Sequence, residues 1–316
     1  MSRRVFLEEL FVPDENKHGP INIDLVLIHG VDGDSVQTWK DVDSGMIWPV
    51  DLIPQCQPRT RVLSFAYNGD MYRNDCAASI RDNARSLLSF LMTKRKRVGP
   101  ERRIVFVAHC LGGLIAKHAL YVSEFEKEFR AIKAATDGVL FFGTPHQGTH
   151  RDEWDRIGKA FSPLDKVTRG RRSPLVDAMK RSSHALADIN DKFRQIAVNY
   201  DITSFYETGL WPGTSKLIVD KTAGVMMIPH EKRVHIDAHH RAMCTFSSVK
   251  DPIFETMCDR ILQATEVEEE SETEEASEAN DAGVPGTMAA FTYPASTAAP
   301  GRSDHLGLGT HWHLAP

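Results

Sequence analysis

The 316-residue sequence lacks a long hydrophobic run and carries a net charge of only −5. Charged side chains interrupt residues 1–10, where a secretory signal or a membrane span would need an apolar core. Most of the negative charge comes from a glutamate-rich run at 266–278, so the folded part gives no general reason to expect a nucleic-acid partner. We therefore expect a protein with no integral membrane segment and no nucleic acid bound.

Cysteine is also scarce, and its five positions are odd in number and widely spread. Such spacing argues against a disulfide framework and against a zinc site. A reducing compartment is the simpler inference, so we expect a cytoplasmic protein without a metal or another cofactor. The cysteines are Cys56, Cys76, Cys110, Cys244 and Cys258.

What the sequence does contain is enough apolar material, 41%, for one large α/β domain, which we place at 1–265. From 266 to 316 the chain is first acidic and then rich in Ala, Pro and Gly, so we predict a disordered tail. Two basic clusters, 94–97 and 169–172, are typical of solvated faces. Peripheral contact with lipid through them is the alternative.

The stretch around which the chain is organised is 104–117, which reads IVFVAHCLGGLIAK. A run of β-branched and aromatic residues meets small residues and then a helical pattern, which predicts a strand, a sharp turn and a helix. Cys110 stands where a nucleophile elbow places its reactive side chain, with Ala108 and Gly112 leaving room for the turn. The N–H of Leu111, at the start of the helix, is then half of an oxyanion hole. A buried structural thiol is the alternative reading of Cys110.

Alternating strand and helix patterns surround this stretch and predict a mainly parallel sheet with helices on both faces. Residues 151–200 contain no convincing strand and are interpreted as a helical cap insertion, with an ordinary helical layer as an equal alternative. The predicted strands are 5–11, 24–30, 61–67, 104–109, 138–142 and 201–206, with a further extended segment at 216–220 and 223–227. A helix is predicted at 76–93, a histidine-dense loop at 234–244 and a closing helix at 252–264.

The first buried strand ends in a His-Gly pair, at the edge of the sheet where active residues of parallel sheets lie. We interpret Gly30 and Val31 as the loop that supplies the second oxyanion N–H, with a simple tight turn as the alternative. His29, His109 and His146 lie beside these turns and are expected to line the pocket. His146 is a weaker candidate for the base, since its loop is short and rich in Gly and Pro.

Nucleophilic catalysis on this fold needs an acid and a histidine after the nucleophile, in that order. His240 is preferred as the base, and its neighbour His239 is the runner-up. Glu207, at the end of a late strand, is preferred as the acid over Asp220.

Several ordered motifs together carry a family resemblance over roughly residues 20–264. They are AHCLGGL, FFGTPHQG, SFYET, VDKTA and HRAMCTF. The sequence resembles α/β-hydrolases of the serine-active-site-containing (SERAC-like) group and the fungal esterase/lipase-like domains that also occur fused to NACHT-type NTPases. The resemblance implies an α/β-hydrolase fold, with Cys110 as nucleophile, Glu207 as acid and His240 as base. It further implies an oxyanion site at Gly30, Val31 and Leu111.

Two positions depart from the family pattern, because Ala108 and Cys110 stand where glycine and serine are usual. The predicted function is hydrolysis of an ester or thioester through a cysteine acyl-enzyme, on a small-molecule or carrier-bound acyl substrate. An acyltransferase or cyclase is the first alternative, since a thiol ester also favours transfer to an added nucleophile. A catalytically degenerate hydrolase-fold binding module is the second.

Overall fold

Seven strands form one sheet in the order β1-β3-β2-β4-β5-β6-β7. The edge strand β1 pairs antiparallel with β3, and all other neighbours are parallel. The computed structural model describes residues 5–70, 78–148, 174–179 and 183–266, all within one compact unit. The strands are β1 (Phe6–Phe11), β2 (Ile23–Ile28), β3 (Thr60–Ala66), β4 (Arg103–His109), β5 (Thr136–Phe142), β6 (Asp201–Glu207) and β7 (Glu231–Ile236).

Helices cover both faces of this sheet, as predicted. Side chains alternate between the two faces along each buried strand, and because these side chains are apolar on both faces, both faces need to be covered. In β4, Phe106 and Ala108 join the core beneath α4, α5 and α8, while Val105 and Val107 join the core beneath α2, α3 and α9. The described α-helices are α1 (Glu15–His18), α2 (Trp48–Asp51), α3 (Ile53–Cys56), α4 (Ile80–Lys94), α5 (Leu111–Phe125), α6 (Arg130–Ala135), α7 (Pro174–Ala178), α8 (His184–Ile196) and α9 (Pro252–Glu266).

The end of the sheet differs from the sequence prediction. The extended segment predicted at 216–220 and 223–227 consists of turns and bends, and β7 instead occupies Glu231–Ile236, inside and before the predicted histidine-dense loop. The N–H groups of Ile218 and Val219 bind the Glu207 carboxylate rather than a neighbouring strand. Only Val234 and Ile236 of β7 are apolar, so the strand lacks the continuous apolar run by which most of the other parallel strands were predicted.

The predicted cap and tail fall largely outside the described residues. Within 151–200, only 174–179 and 183–200 are described, and α8 packs its buried Ile189 and Phe193 onto the same core as α5. The predicted tail, 266–316, lies outside them except for Glu266, the last residue of α9. In the described part of the chain, no helix combines the length and the apolar character needed to cross a bilayer.

Candidate active site

Cys110 forms a sharp turn between β4 and α5. Its φ of 53° and ψ of −119° are strained for a residue with a side chain, and its N–H donates to the Phe142 carbonyl at 2.9 Å. A Cβ at Gly112 would lie 2.3 Å from the Ile28 carbonyl oxygen, so only glycine lets the helix approach the neighbouring strand so closely. The strained backbone aims the Cys110 side chain over the edge of the sheet.

The loop after β2 passes directly beside Cys110. A Cβ at Gly30 would lie 2.6 Å from the Cys110 Cβ. His29 Nδ1 donates to the Gly30 carbonyl at 2.8 Å, while its Nε2 accepts from the Tyr67 N–H at 3.4 Å. The Tyr67 ring stacks on His29 at 4.2 Å, which fixes the course of the loop.

Two backbone N–H groups belong to the segments on either side of the Cys110 turn. Among the described residues, nothing accepts a hydrogen bond from the N–H of Val31, in the loop, or of Leu111, the first residue of α5. The first N–H groups of a helix have no partner within the helix and carry its positive dipole end. Unpartnered backbone N–H groups of this kind are donors that can bind an oxygen bearing negative charge.

His240 and Glu207 form a buried pair beside Cys110. His240 Nδ1 lies 2.6 Å from Glu207 Oε2, and the two residues are 3% and 1% exposed. Glu207 Oε1 accepts from the N–H groups of Ile218 and, at 2.8 Å, Val219, which holds the carboxylate in place. Since Nδ1 is engaged by Glu207, the buried Nε2 is the nitrogen that faces the Cys110 thiol.

The charges around His240 favour its protonated form. Burial alone lowers the pKa of the ring, but the Glu207 carboxylate and a Cys110 thiolate outweigh it and raise the pKa to about 10. The His240 ring therefore holds its proton near neutral pH. A thiolate is the nucleophilic form of cysteine.

A cavity of about 310 Å³ opens onto Cys110 and His240. Of the histidines expected to line the pocket, His109 is among the lining residues and His29 is not. Six of the lining residues come from the segment between β2 and Trp39, and sequence reasoning missed all of them except Val31, because a loop has no periodicity to reveal it. The remaining lining residues are Val31, Asp32, Gly33, Asp34, Gln37, Thr38, Val42, Arg241 and Cys244.

The alternatives for acid and base lie elsewhere. Asp220 Oδ1 accepts from the Ala223 N–H at 2.9 Å within its own turn. His239, the neighbour of His240, packs against Trp211 at 5.4 Å, and its Nδ1 accepts from the Ala242 N–H at 3.4 Å. Neither residue lines the cavity.

His146 lies in the core and not in the cavity wall, where the sequence analysis expected it. It is 1% exposed, its ring meets Phe141 edge-on at 4.9 Å, and its Nε2 lies 3.5 Å from Ser204 Oγ. Burial, and then the positive charge of Lys117, lowers the pKa of His146 well below its usual range. The loop after β5 turns this ring beneath α8, because Asn190 of that helix donates to the His146 carbonyl at 2.5 Å.

Among the described residues, no group of three or more His, Cys, Asp and Glu side chains could hold a metal ion.

The parallel sheet, with the strained Cys110 between β4 and α5, defines the α/β-hydrolase fold. No family model matches the chain. Protein SERAC1 of Danio rerio is 27% identical over 220 residues, and Protein SERAC1 of Homo sapiens is 24% identical over 216 residues. Each match covers 62% of this chain and 32% of the relative, so the chain spans about a third of the length of these curated relatives.

Two solved structures illustrate the structural comparison. A carboxylesterase of the thaumarchaeon Nitrososphaera gargenis has a TM-score of 0.49 at 12% identity, covering 84% of this chain and 97% of the other. An esterase of Thermogutta terrifontis has a TM-score of 0.47 at 12% identity, covering 83% and 94%. Over 62% of its length the chain is similar in sequence to SERAC1 proteins, and the topology of its sheet is that of the α/β-hydrolase fold.

Proposed function

We propose that the chain hydrolyses an ester or thioester through a covalent acyl-enzyme on Cys110. The observation that carries the proposal is the buried 2.6 Å contact between His240 Nδ1 and Glu207 Oε2, with the other ring nitrogen facing Cys110. A nucleophile, a base and an acid that orients the base are the parts that acyl transfer requires.

In the first step the Cys110 thiolate attacks the acyl carbonyl, whose oxygen becomes negative and is bound by the N–H groups of Val31 and Leu111. The His240 imidazolium then gives its Nε2 proton to the departing alkoxide or thiolate as the carbonyl re-forms. The product of this step is a thioester between the acyl group and Cys110.

In the second step the neutral imidazole takes a proton from water, and the resulting hydroxide attacks the thioester carbonyl. Collapse of this intermediate releases the carboxylic acid and restores the thiolate and the imidazolium. Glu207 keeps the ring oriented and stabilises its charge in both steps. Every group used is a side chain or backbone N–H of this chain, so we propose a cofactor-independent reaction.

The substrate we propose is a small-molecule or carrier-bound acyl compound. A cavity of about 310 Å³ is at the small end of ligand pockets and fits an acyl group better than a whole lipid. Reaction through a free thiolate fits a reducing compartment, so we propose that the protein works in the cytoplasm. Peripheral lipid contact through the basic clusters remains a prediction.

A thiol at the nucleophile position favours a second candidate, acyl transfer or cyclisation. A thioester intermediate reacts readily with an amine, a hydroxyl or a carbon nucleophile as well as with water. Mass analysis of products formed in ¹⁸O-labelled water separates the two, because hydrolysis places one labelled oxygen in the released acid and transfer places none in the product.

The test compares the wild type with Cys110→Ala on p-nitrophenyl esters and acyl thioesters of increasing chain length. We expect the loss of the nucleophile to lower kcat/KM by about 10³-fold or more, and a trapped acyl adduct to map to Cys110 in the wild type. Cys56→Ala, which removes a thiol outside the cavity, is the matched control and should keep full activity. Full activity of Cys110→Ala, or an adduct on Cys244, would contradict the proposal, and no turnover or adduct on any substrate would favour the binding module.

A further inference from the structure

A pair of thiols lies outside the cavity wall, between the end of α3 and the middle of α9. Cys56 Sγ and Cys258 Sγ are 3.1 Å apart, although the residues are separated by 202 positions in the chain. Both are free thiols, Cys56 exposed and Cys258 buried. Two sulfur atoms at this distance need to move only about 1 Å closer to reach the length of a disulfide bond.

The backbone around the two cysteines is held in position by other contacts. Gln57, the residue after Cys56, donates from Nε2 to the Cys258 carbonyl at 2.9 Å, and both groups are buried. Trp48 of α2 packs against Phe254 of α9 at 6.1 Å, one helical turn before Cys258. This contact also joins α9 to the segment that carries Cys56. The approach of the sulfur atoms is therefore a property of a packed interface and does not depend on the cysteines alone.

We propose that Cys56 and Cys258 form a redox modification site that reacts with small-molecule disulfides, such as oxidised glutathione, to give a reversible intramolecular disulfide. The difference in exposure sets the order of events, since only Cys56 is open to a reagent from solvent. Hydrogen bonding from Cys258 lowers the pKa of Cys56, and the same contact, with burial, raises the pKa of Cys258. The exposed sulfur is thus the attacking thiolate, and the buried one holds the proton.

The reaction is a pair of thiol–disulfide exchanges. The Cys56 thiolate attacks one sulfur of oxidised glutathione, the reagent's S–S bond breaks, and one glutathione leaves as its thiolate. Cys258 then loses its proton to solvent and attacks Cys56 Sγ, which breaks the mixed disulfide and releases the second glutathione. Two protein thiols are oxidised, and one disulfide is reduced to two thiols.

The experiment treats the reduced full-length chain with oxidised glutathione, blocks the remaining thiols with an alkylating reagent and maps the linked peptides by mass spectrometry. We expect one peptide pair joining residues 56 and 258, absent after reduction with dithiothreitol and absent from Cys56→Ser and Cys258→Ser. Cys244→Ser is the control that should still form the link. A stable glutathione adduct on Cys56 with Cys258 free, a link between other cysteines, or no reaction would overturn the proposal.

Thermal unfolding gives a second readout that peptide mapping does not supply. A link that closes so long a loop without distorting the backbone should raise the Tm by about 5 to 10 °C, and dithiothreitol should reverse the rise. Cys56→Ser should show no rise under the same treatment. A linked protein with a lower Tm than the reduced protein would show that the two helices had to be distorted, contrary to the geometry described.

Discussion

The ring of His109 donates a hydrogen bond from Nε2 to the backbone carbonyl of His240 at 2.9 Å. The residue immediately before Cys110 therefore holds the loop that carries His240, and the two imidazole centroids are 4.8 Å apart. The two halves of the site, which are 131 positions apart in the chain, are joined directly by this contact.

The first prediction follows from that bond. His109→Ala removes the donor and leaves the buried His240 carbonyl without its partner, so His240 is held less accurately over Cys110. We expect kcat to fall about tenfold with little change in KM, the effect of losing one hydrogen bond worth about 1 to 1.5 kcal/mol. Steady-state kinetics on the ester found in the substrate screen measures this.

His109→Gln is the matched control, because its amide N–H can occupy the position of Nε2. Recovery of most of kcat by glutamine distinguishes positioning from simple packing. Equal losses in both variants would contradict the assignment.

The second prediction concerns pH. Burial lowers the pKa of His240, but the charges of Glu207 and Cys110 raise it to about 10, so the ring keeps its proton to high pH. Because the imidazolium protonates the leaving group, kcat/KM on an alkyl ester should decline with an apparent pKa near 10. Glu207→Gln removes the first of the two charges that raise the pKa while burial remains, so the decline should move to lower pH. A kcat/KM profile between pH 7 and 11 tests both statements.

The same pKa predicts a contribution to stability. A ring whose folded pKa lies above its ordinary value of 6.5 stabilises the fold fully below pH 6.5, and this stabilisation is lost as the pH rises through about 10. Denaturant unfolding across that range should show the dependence in the wild type and a weaker one in Glu207→Gln. Asp220→Asn, at the acid that does not touch His240, should behave as the wild type in both assays.

A third prediction tests the backbone of the turn. In Gly112→Ala the new methyl group would meet the Ile28 carbonyl oxygen at 2.3 Å, and because that oxygen belongs to a central strand it cannot move aside. We expect a loss of about 3 kcal/mol in the free energy of unfolding, or failure to fold. Gly45→Ala is the comparison, since its φ is +75° but nothing lies within 4 Å of the new methyl group, and its cost should stay near 1 kcal/mol. Equal losses would contradict the packing argument.

A fourth prediction concerns a buried charge cluster at the opposite end of the sheet. Asp24 is fully buried and binds Arg61 through two bonds of 2.7 and 2.9 Å, and it also binds Arg95. Asp24→Asn leaves two largely buried guanidinium groups without their common anion, so we expect a loss of about 3 to 5 kcal/mol by urea unfolding.

The control for this cluster is an ion pair nearer the surface. Asp188 pairs with Arg81 and Lys192, and its side chain is 35% exposed. Asp188→Asn should cost less than about 1 kcal/mol, because solvent screens its charge. A small effect of Asp24→Asn would mean that the buried arginines find other partners.

The position of the turn and the parallel sheet around it could be predicted from the sequence. Both are encoded locally. The turn is specified within about ten residues by the apolar run of β4, by Cys110 between small residues and by the helical spacing after it. Continuous apolar runs mark the strands that are buried on both faces. The strand β7 was not predicted, because Lys232, Arg233 and His235 interrupt the apolar run that would have marked it.

Only the tertiary structure decided which of two candidate acids contacts which of two candidate histidines. Glu207 and Asp220 are both acids near late strands, and His239 and His240 are adjacent. The turns after β6 bring the N–H groups of Ile218 and Val219 to Glu207, and the direction of the loop after β7 points the second histidine inward. Those choices depend on how distant segments pack and on which backbone donors they supply, and no local sequence pattern records that information.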